Sequence, residues 1–103
     1  MVEMTKRVRI EILVDAPLSA KLVRLAEDAG ITGHTLIRTV SGRGSGGEWQ
    51  EDLVSGATAK LIFLSVANPE RANAFLQAIL PLLESHGLLV LQSEVFVVRP
   101  ERF

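Results

Sequence analysis

One hundred and three residues suffice for one hydrophobic core and not for two, so the chain is read as a single domain over 1–103. A formal net charge of −1, from 11 basic and 12 acidic residues, excludes the basic footprint on which nucleic-acid binding rests. Cysteine is absent, which excludes a disulfide frame and thiolate chemistry, and Gln77 and Pro81 break the longest apolar run short of the ~18 residues of a membrane span.

Hydrophobic residues nevertheless make up 48% of the chain. Small domains bury a smaller share of their surface than large ones, so part of this apolar surface is expected to be hidden in a homo-oligomer. Met1 to Arg7 carries charges with no apolar segment of signal-peptide length behind it, and the expected location is cytoplasmic.

Val8, Ile10, Ile12 and Val14 alternate with Arg9, Glu11 and Leu13, the period of a strand with one buried face. Asp15 and Pro17 then supply a helix start, Asp as a cap for free N–H groups and Pro in the first turn. Leu18, Leu22, Leu25, Ala26 and Ala29 follow at helical spacing, with Gly30 where a left-handed C-cap belongs. Thr35 to Val40 reads as a short second strand and Thr58 to Val66 as a third, apolar enough to be central. Asn68-Pro69-Glu70 opens a second helix, whose buried face is Ala72, Phe75, Leu76, Ile79 and Leu83; Pro81 should kink or loosen its last turn, and Gly87 ends it. Leu88 to Arg99 is a last extended run, closed by Pro100.

The order is β-α-β-β-α-β: a ferredoxin-like α+β fold, an antiparallel sheet with two helices on one face. Its other face needs a cover, and neighbouring subunits are the economical source.

Between the second and third strands stands the most unusual segment, Gly42-Arg43-Gly44-Ser45-Gly46-Gly47, with Ser41 at its head. Glycines at this density let backbone N–H groups approach a ligand closely, and Arg43 adds a positive charge suited to a phosphate or carboxylate. The spacing satisfies Gly-x-Gly-x-x-Gly, but no long helix follows and Glu48 stands where a P-loop lysine would, so neither a dinucleotide fingerprint nor a P-loop is present. What survives is an anion cradle, or else a plain surface loop.

His34 and His86 are the two histidines; without cysteines or clustered carboxylates they make no metal site, and none is expected. His86 reads as a helix-end residue, and His34 as either a ligand contact or a solvent-facing turn residue. No nucleophile elbow or comparable arrangement supports catalysis, so no catalytic residue is assigned. Trp49, the single tryptophan, is either a core residue or, among glycines and charges, a partner anchor. Arg99 and Arg102 bracket Pro100 as solvated tail charges or as an anion clamp.

The element order, Ala29-Gly30-Ile31-Thr32-Gly33-His34-Thr35 and the glycine-rich segment together resemble the PII-like signalling superfamily, over roughly Val8 to Val98. The sharpest piece is Gly30-Ile31-Thr32-Gly33-x-Thr35, similar to that family's turn into its second strand. The resemblance implies a non-catalytic trimer that binds adenine nucleotides between subunits and reaches a target protein through a long loop, the T-loop, here 42–57. It implies that Gly33, His34 and Thr35 lie by the nucleotide, Gly33 and Thr35 at its base, and that Ser41, Gly42, Arg43, Gly44, Ser45, Gly46 and Gly47 run along its phosphates.

Departures from the family pattern narrow the expectation. No tyrosine is present, which excludes tyrosine uridylylation, and the loop start Gly-x-Gly-Arg-Gln-Lys-Gly lacks its Gln and Lys, against magnesium-linked 2-oxoglutarate binding. Glu84-Ser85-His86-Gly87-Leu88 replaces the lysine-rich phosphate loop, which favours ADP or AMP, or a cyclic nucleotide, over ATP. With Ser93-Glu94-Val95-Phe96-Val97 in the last strand, the chain looks most like the bicarbonate-linked branch, whose partners are bicarbonate transporters or carboxysome-related proteins. Arg43, Arg99 and Arg102 are then the candidates for holding bicarbonate or phosphate oxygens; no tightly bound cofactor is implied. Two other classes stand beside it: a small dimeric-barrel enzyme with a pocket lined by His34 or His86, and a purely structural assembly domain.

Overall fold

The structure is a computed structural model and describes residues 3–44, 47–50 and 59–98. Strand β1 (Thr5–Asp15) leads through a 3-10 turn (Ala16–Leu18) into α1 (Ser19–Asp28) and then β2 (Thr35–Arg38). Strands β3 (Ser41–Gly44) and β4 (Gly47–Gln50) follow, then β5 (Lys60–Ala67), α2 (Pro69–Ser85) and β6 (Leu89–Val97). Four strands form one sheet in the order β2-β5-β1-β6, every neighbouring pair antiparallel. This is the ferredoxin-like βαββαβ fold, with one addition: the glycine-rich segment, expected as a loop, forms a separate two-stranded hairpin, β3-β4.

Alternation along β1 does what its period demands. Ile10, Ile12 and Val14 are fully buried against the helices, together with Phe63 and Ala67 of β5, Leu22 and Ala26 of α1, and Ala72, Phe75, Ile79 and Leu82 of α2. Each large side chain among them contributes about 1.5–3 kcal/mol by leaving water. Phe75 and Phe63 meet ring to ring at 5.5 Å, which ties α2 to the sheet.

The opposite sheet face follows from the same register. Leu13 stands opposite Ile62 and Leu89, Glu11 opposite Leu64 and Leu91, and Ile37 opposite Ile62. Residues directly opposite share a face, so this second face is largely apolar, interrupted by the Arg9–Glu11 ion pair, and no helix among the described residues covers it. Leu89 and Leu91 are each 53% exposed on it.

Helix ends carry the signals anticipated, with one exception. Gly30 takes φ +87 at the end of α1; its N–H bonds Glu27 O and the Ile31 N–H bonds Ala26 O, both at 2.9 Å, with Ile31 and Ala26 buried together. Asn68 caps α2 by accepting the Arg71 N–H at 2.8 Å. Helix α2 runs on through Pro81, and its last turn is closed by the His86 N–H to Leu82 O and by the Ser85 hydroxyl to Pro81 O, both 3.0 Å. Asp15 is the exception. Its side chain caps nothing; it faces Lys60 across the β1-β5 ladder and takes that ammonium at 2.7 Å.

Candidate functional site

Two clusters of expected ligand residues lie at opposite ends of β2. At its entry stand Gly33, His34 and Thr35, all exposed. Buried Ser65, in the middle of β5, donates its hydroxyl to Gly33 O at 2.6 Å, so the turn is fastened to the sheet. The His34 ring lies parallel to that of Phe63, 9° between planes and 5.7 Å between centroids. Phe63 therefore sits between His34 and Phe75, and a solvent-facing imidazole is backed by the core.

Beyond the exit of β2, the hairpin gathers Ser41, Gly42, Arg43, Gly44 and Gly47 in paired register: Ser41 with Gln50, Gly42 with Trp49, Arg43 with Glu48, Gly44 with Gly47. Trp49 leans so closely over Gly42 that a Cβ added there would clash with the indole ring. Only glycine admits that approach. The Trp49 indole N–H donates to Thr39 Oγ1 at 3.1 Å, the Thr39 hydroxyl donates to Lys60 O at 2.7 Å, and the Lys60 ammonium lies 5.3 Å from the Trp49 ring. Trp49 is accordingly half-buried and joins the hairpin to β5. Arg43 donates to the Glu48 carboxylate across the hairpin.

Of the residues singled out from sequence, Ser41 to Gly44 and Gly47 come together with Trp49, while Gly33 to Thr35 stand apart from them at the other end of β2. His86 caps the far end of α2, with Nδ1 at 2.7 Å from the Ser85 hydroxyl. Ser45, Gly46, Arg99, Arg102 and the remainder of the 42–57 segment beyond Gln50 lie outside the described residues. Among the described residues, no three His, Asp or Glu side chains gather to hold a metal ion, and no helix is long and apolar enough to cross a membrane.

Thr39, Glu48, Lys60 and Ser65 escaped the sequence reading. Thr39 and Lys60 bond across a separation of 21 residues, and Ser65 and Gly33 across 32. Only the fact that Ser65 is a lone hydroxyl in the apolar run Leu61 to Ala67 hinted at a buried partner.

The model of the family "Nitrogen regulatory protein P-II" matches residues 7–102. The chain belongs to the P-II family. Solved structures carry the same fold throughout. The PII-like protein CPII of Thiomonas intermedia K12, bound to ADP, AMP and bicarbonate, superposes with a TM-score of 0.91 at 23% identity, over 100% of this chain and 98% of that one. CPII bound to ADP, AMP and acetate gives 0.82 at 22% identity, over 99% and 98%. A PII-like signaling protein of Thermus thermophilus gives 0.84 at 20% identity, over 98% of each chain. Among curated proteins no sequence matches. The P-II assignment establishes a regulatory protein and the superfamily read from Gly30 to Thr35; at these identities the solved structures speak for the fold.

Proposed function

We propose that this P-II family protein is a non-catalytic trimeric sensor. It binds ADP or AMP in clefts between subunits, takes bicarbonate as a second ligand, and reports to a partner in inorganic-carbon metabolism, a transporter or a carboxysome-related protein, through residues 42–57. The observation that carries this reading is family membership over residues 7–102, combined with end-to-end likeness to a PII-like protein whose structure holds ADP, AMP and bicarbonate.

Local geometry supports it. Gly33 to Thr35 offer an exposed turn held rigid by Ser65 and backed by His34 on Phe63, a surface suited to a flat base. Arg43, on a hairpin of glycines, supplies a guanidinium for phosphoryl or bicarbonate oxygens, with Arg99 and Arg102 assigned the same role. The uncovered apolar sheet face, with Ile37, Leu89 and Leu91, supplies the surface that subunits would bury. A tenfold change in partner affinity between two loop states needs only ~1.4 kcal/mol of differential ligand binding, within reach of one or two charge-assisted hydrogen bonds.

Calorimetric titration of ADP, with and without bicarbonate, tests the reading. ADP binding that tightens when bicarbonate is present is the expected result. Absence of heat with ADP, AMP and cyclic AMP alike would remove the nucleotide-sensor function and leave the fold standing.

A further inference from the structure

The guanidinium assigned above to the ligand already has an occupant. Arg43 donates to Glu48, its direct partner in the β3-β4 register, so a carboxylate of this chain fills the place an incoming oxyanion would take. Trp49, the next residue, covers Gly42 on the other face of the hairpin. Its indole N–H on Thr39 and the Lys60 cation on its ring fasten β4 to the main sheet, which holds Glu48 within reach of Arg43. Neighbouring residues of one short strand thus close both faces of β3.

The geometry points to Glu48 as an internal competitor for the ligand oxyanion at Arg43, with Trp49 the clasp that is loosened when the oxyanion wins. This inference rests on the ligand assignment of Arg43 made above. A phosphoryl oxygen of the nucleotide or bicarbonate displaces the Glu48 carboxylate; β4 then loses one of its ties to β3, and the Trp49 contacts with Gly42 and Thr39 shift with it. Arg43 and Glu48 side chains are 77% and 63% exposed. Pairs this open to water are weak, so Glu48 lowers ligand affinity by a few-fold without barring the site. It sets the concentration at which the hairpin changes state.

Glu48→Gln removes the charge and keeps the shape, and Glu48→Ala controls for a hydrogen bond from the new amide; the position is exposed, so neither change threatens the core. Each variant is titrated calorimetrically with ADP alone, then with bicarbonate at saturating ADP, while Trp49 emission is followed. With one tryptophan and no tyrosine in the chain, that signal belongs to Trp49. Both variants should bind about two- to fivefold tighter than the native chain, and their ligand-free emission should move toward that of the liganded native protein. Tightening in the ADP arm alone names phosphate as the competing oxyanion; tightening only in the bicarbonate arm names bicarbonate. Native-like or weaker affinity in both variants overturns the competitor role while native binding upholds the sensor reading. Binding of neither ligand by native chain or variants overturns the sensor reading, and the inference falls with it.

Discussion

The hydroxyl of Ser65 donates to the main-chain carbonyl of Gly33 over 2.6 Å, from a residue that is 3% exposed. That bond joins the middle of β5 to the turn that enters β2, the most family-like stretch of the sequence. Ser65→Ala removes the donor and leaves the carbonyl to find water or go without. The expected cost is about 1–2 kcal/mol in equilibrium unfolding, with weaker ADP binding as the turn loosens. Unchanged stability together with unchanged affinity would show that the turn is held by other contacts.

Gly30 has a backbone that L side chains rarely adopt, φ +87, and an added Cβ would also meet Arg71 Nε at 3.3 Å. Arg71 can swing aside; the backbone cannot. Gly30→Ala should therefore destabilise by about 1–2 kcal/mol, read from the denaturant midpoint with the slope unchanged.

Phe63 is fully buried between His34 and Phe75. Phe63→Ala should cost about 3–5 kcal/mol, the range for emptying an aromatic site in a core. His34→Ala, by contrast, strips an exposed ring from a stacked pair and should cost no more than ~1.5 kcal/mol in urea unfolding. A His34 loss as large as that at Phe63 would mean that the imidazole seals the core.

Leu91 lies on the helix-free sheet face opposite Glu11, and 53% of it is open to solvent in the single chain. Leu91→Glu places a charge where the proposed trimer would be dry. Sedimentation should report loss of the oligomer with native-like far-UV circular dichroism, since the core side of β6 is untouched. Persistence of the native oligomer would move the subunit interface elsewhere.

Arg43→Ala should weaken ADP and bicarbonate alike, about ten- to a hundredfold for loss of one charge-assisted contact, and leave the oligomer intact. Calorimetry and sedimentation on the same sample read both quantities. Native affinity in this variant would take Arg43 out of the ligand site.

Much of this molecule was legible one element at a time. The period of two along Val8 to Val14 chose the buried face of β1, the sequence Asn68-Pro69 capped α2, and Gly30 ended α1, because each of these depends on neighbours within a turn or on one repeating contrast with water. The element order, the turn Ala29 to Thr35 and the glycine-rich segment together carried the family. Other features depended on which residues the sheet register brings together. Asp15 looked like a cap until the ladder set Lys60 beside it. The segment Gly42 to Gly47 reads as a loop, since glycine's broad freedom commits the backbone to no regular structure, yet β3 and β4 pair where Trp49 can lie on Gly42 and bond Thr39. Fold and local caps thus follow from the chain's own short-range chemistry, whereas the pairing of Arg43 with Glu48 waits on the register of the β3-β4 hairpin, and that of Ser65 with Gly33 exists only once antiparallel strands have brought residues 32 apart within a hydrogen bond's reach.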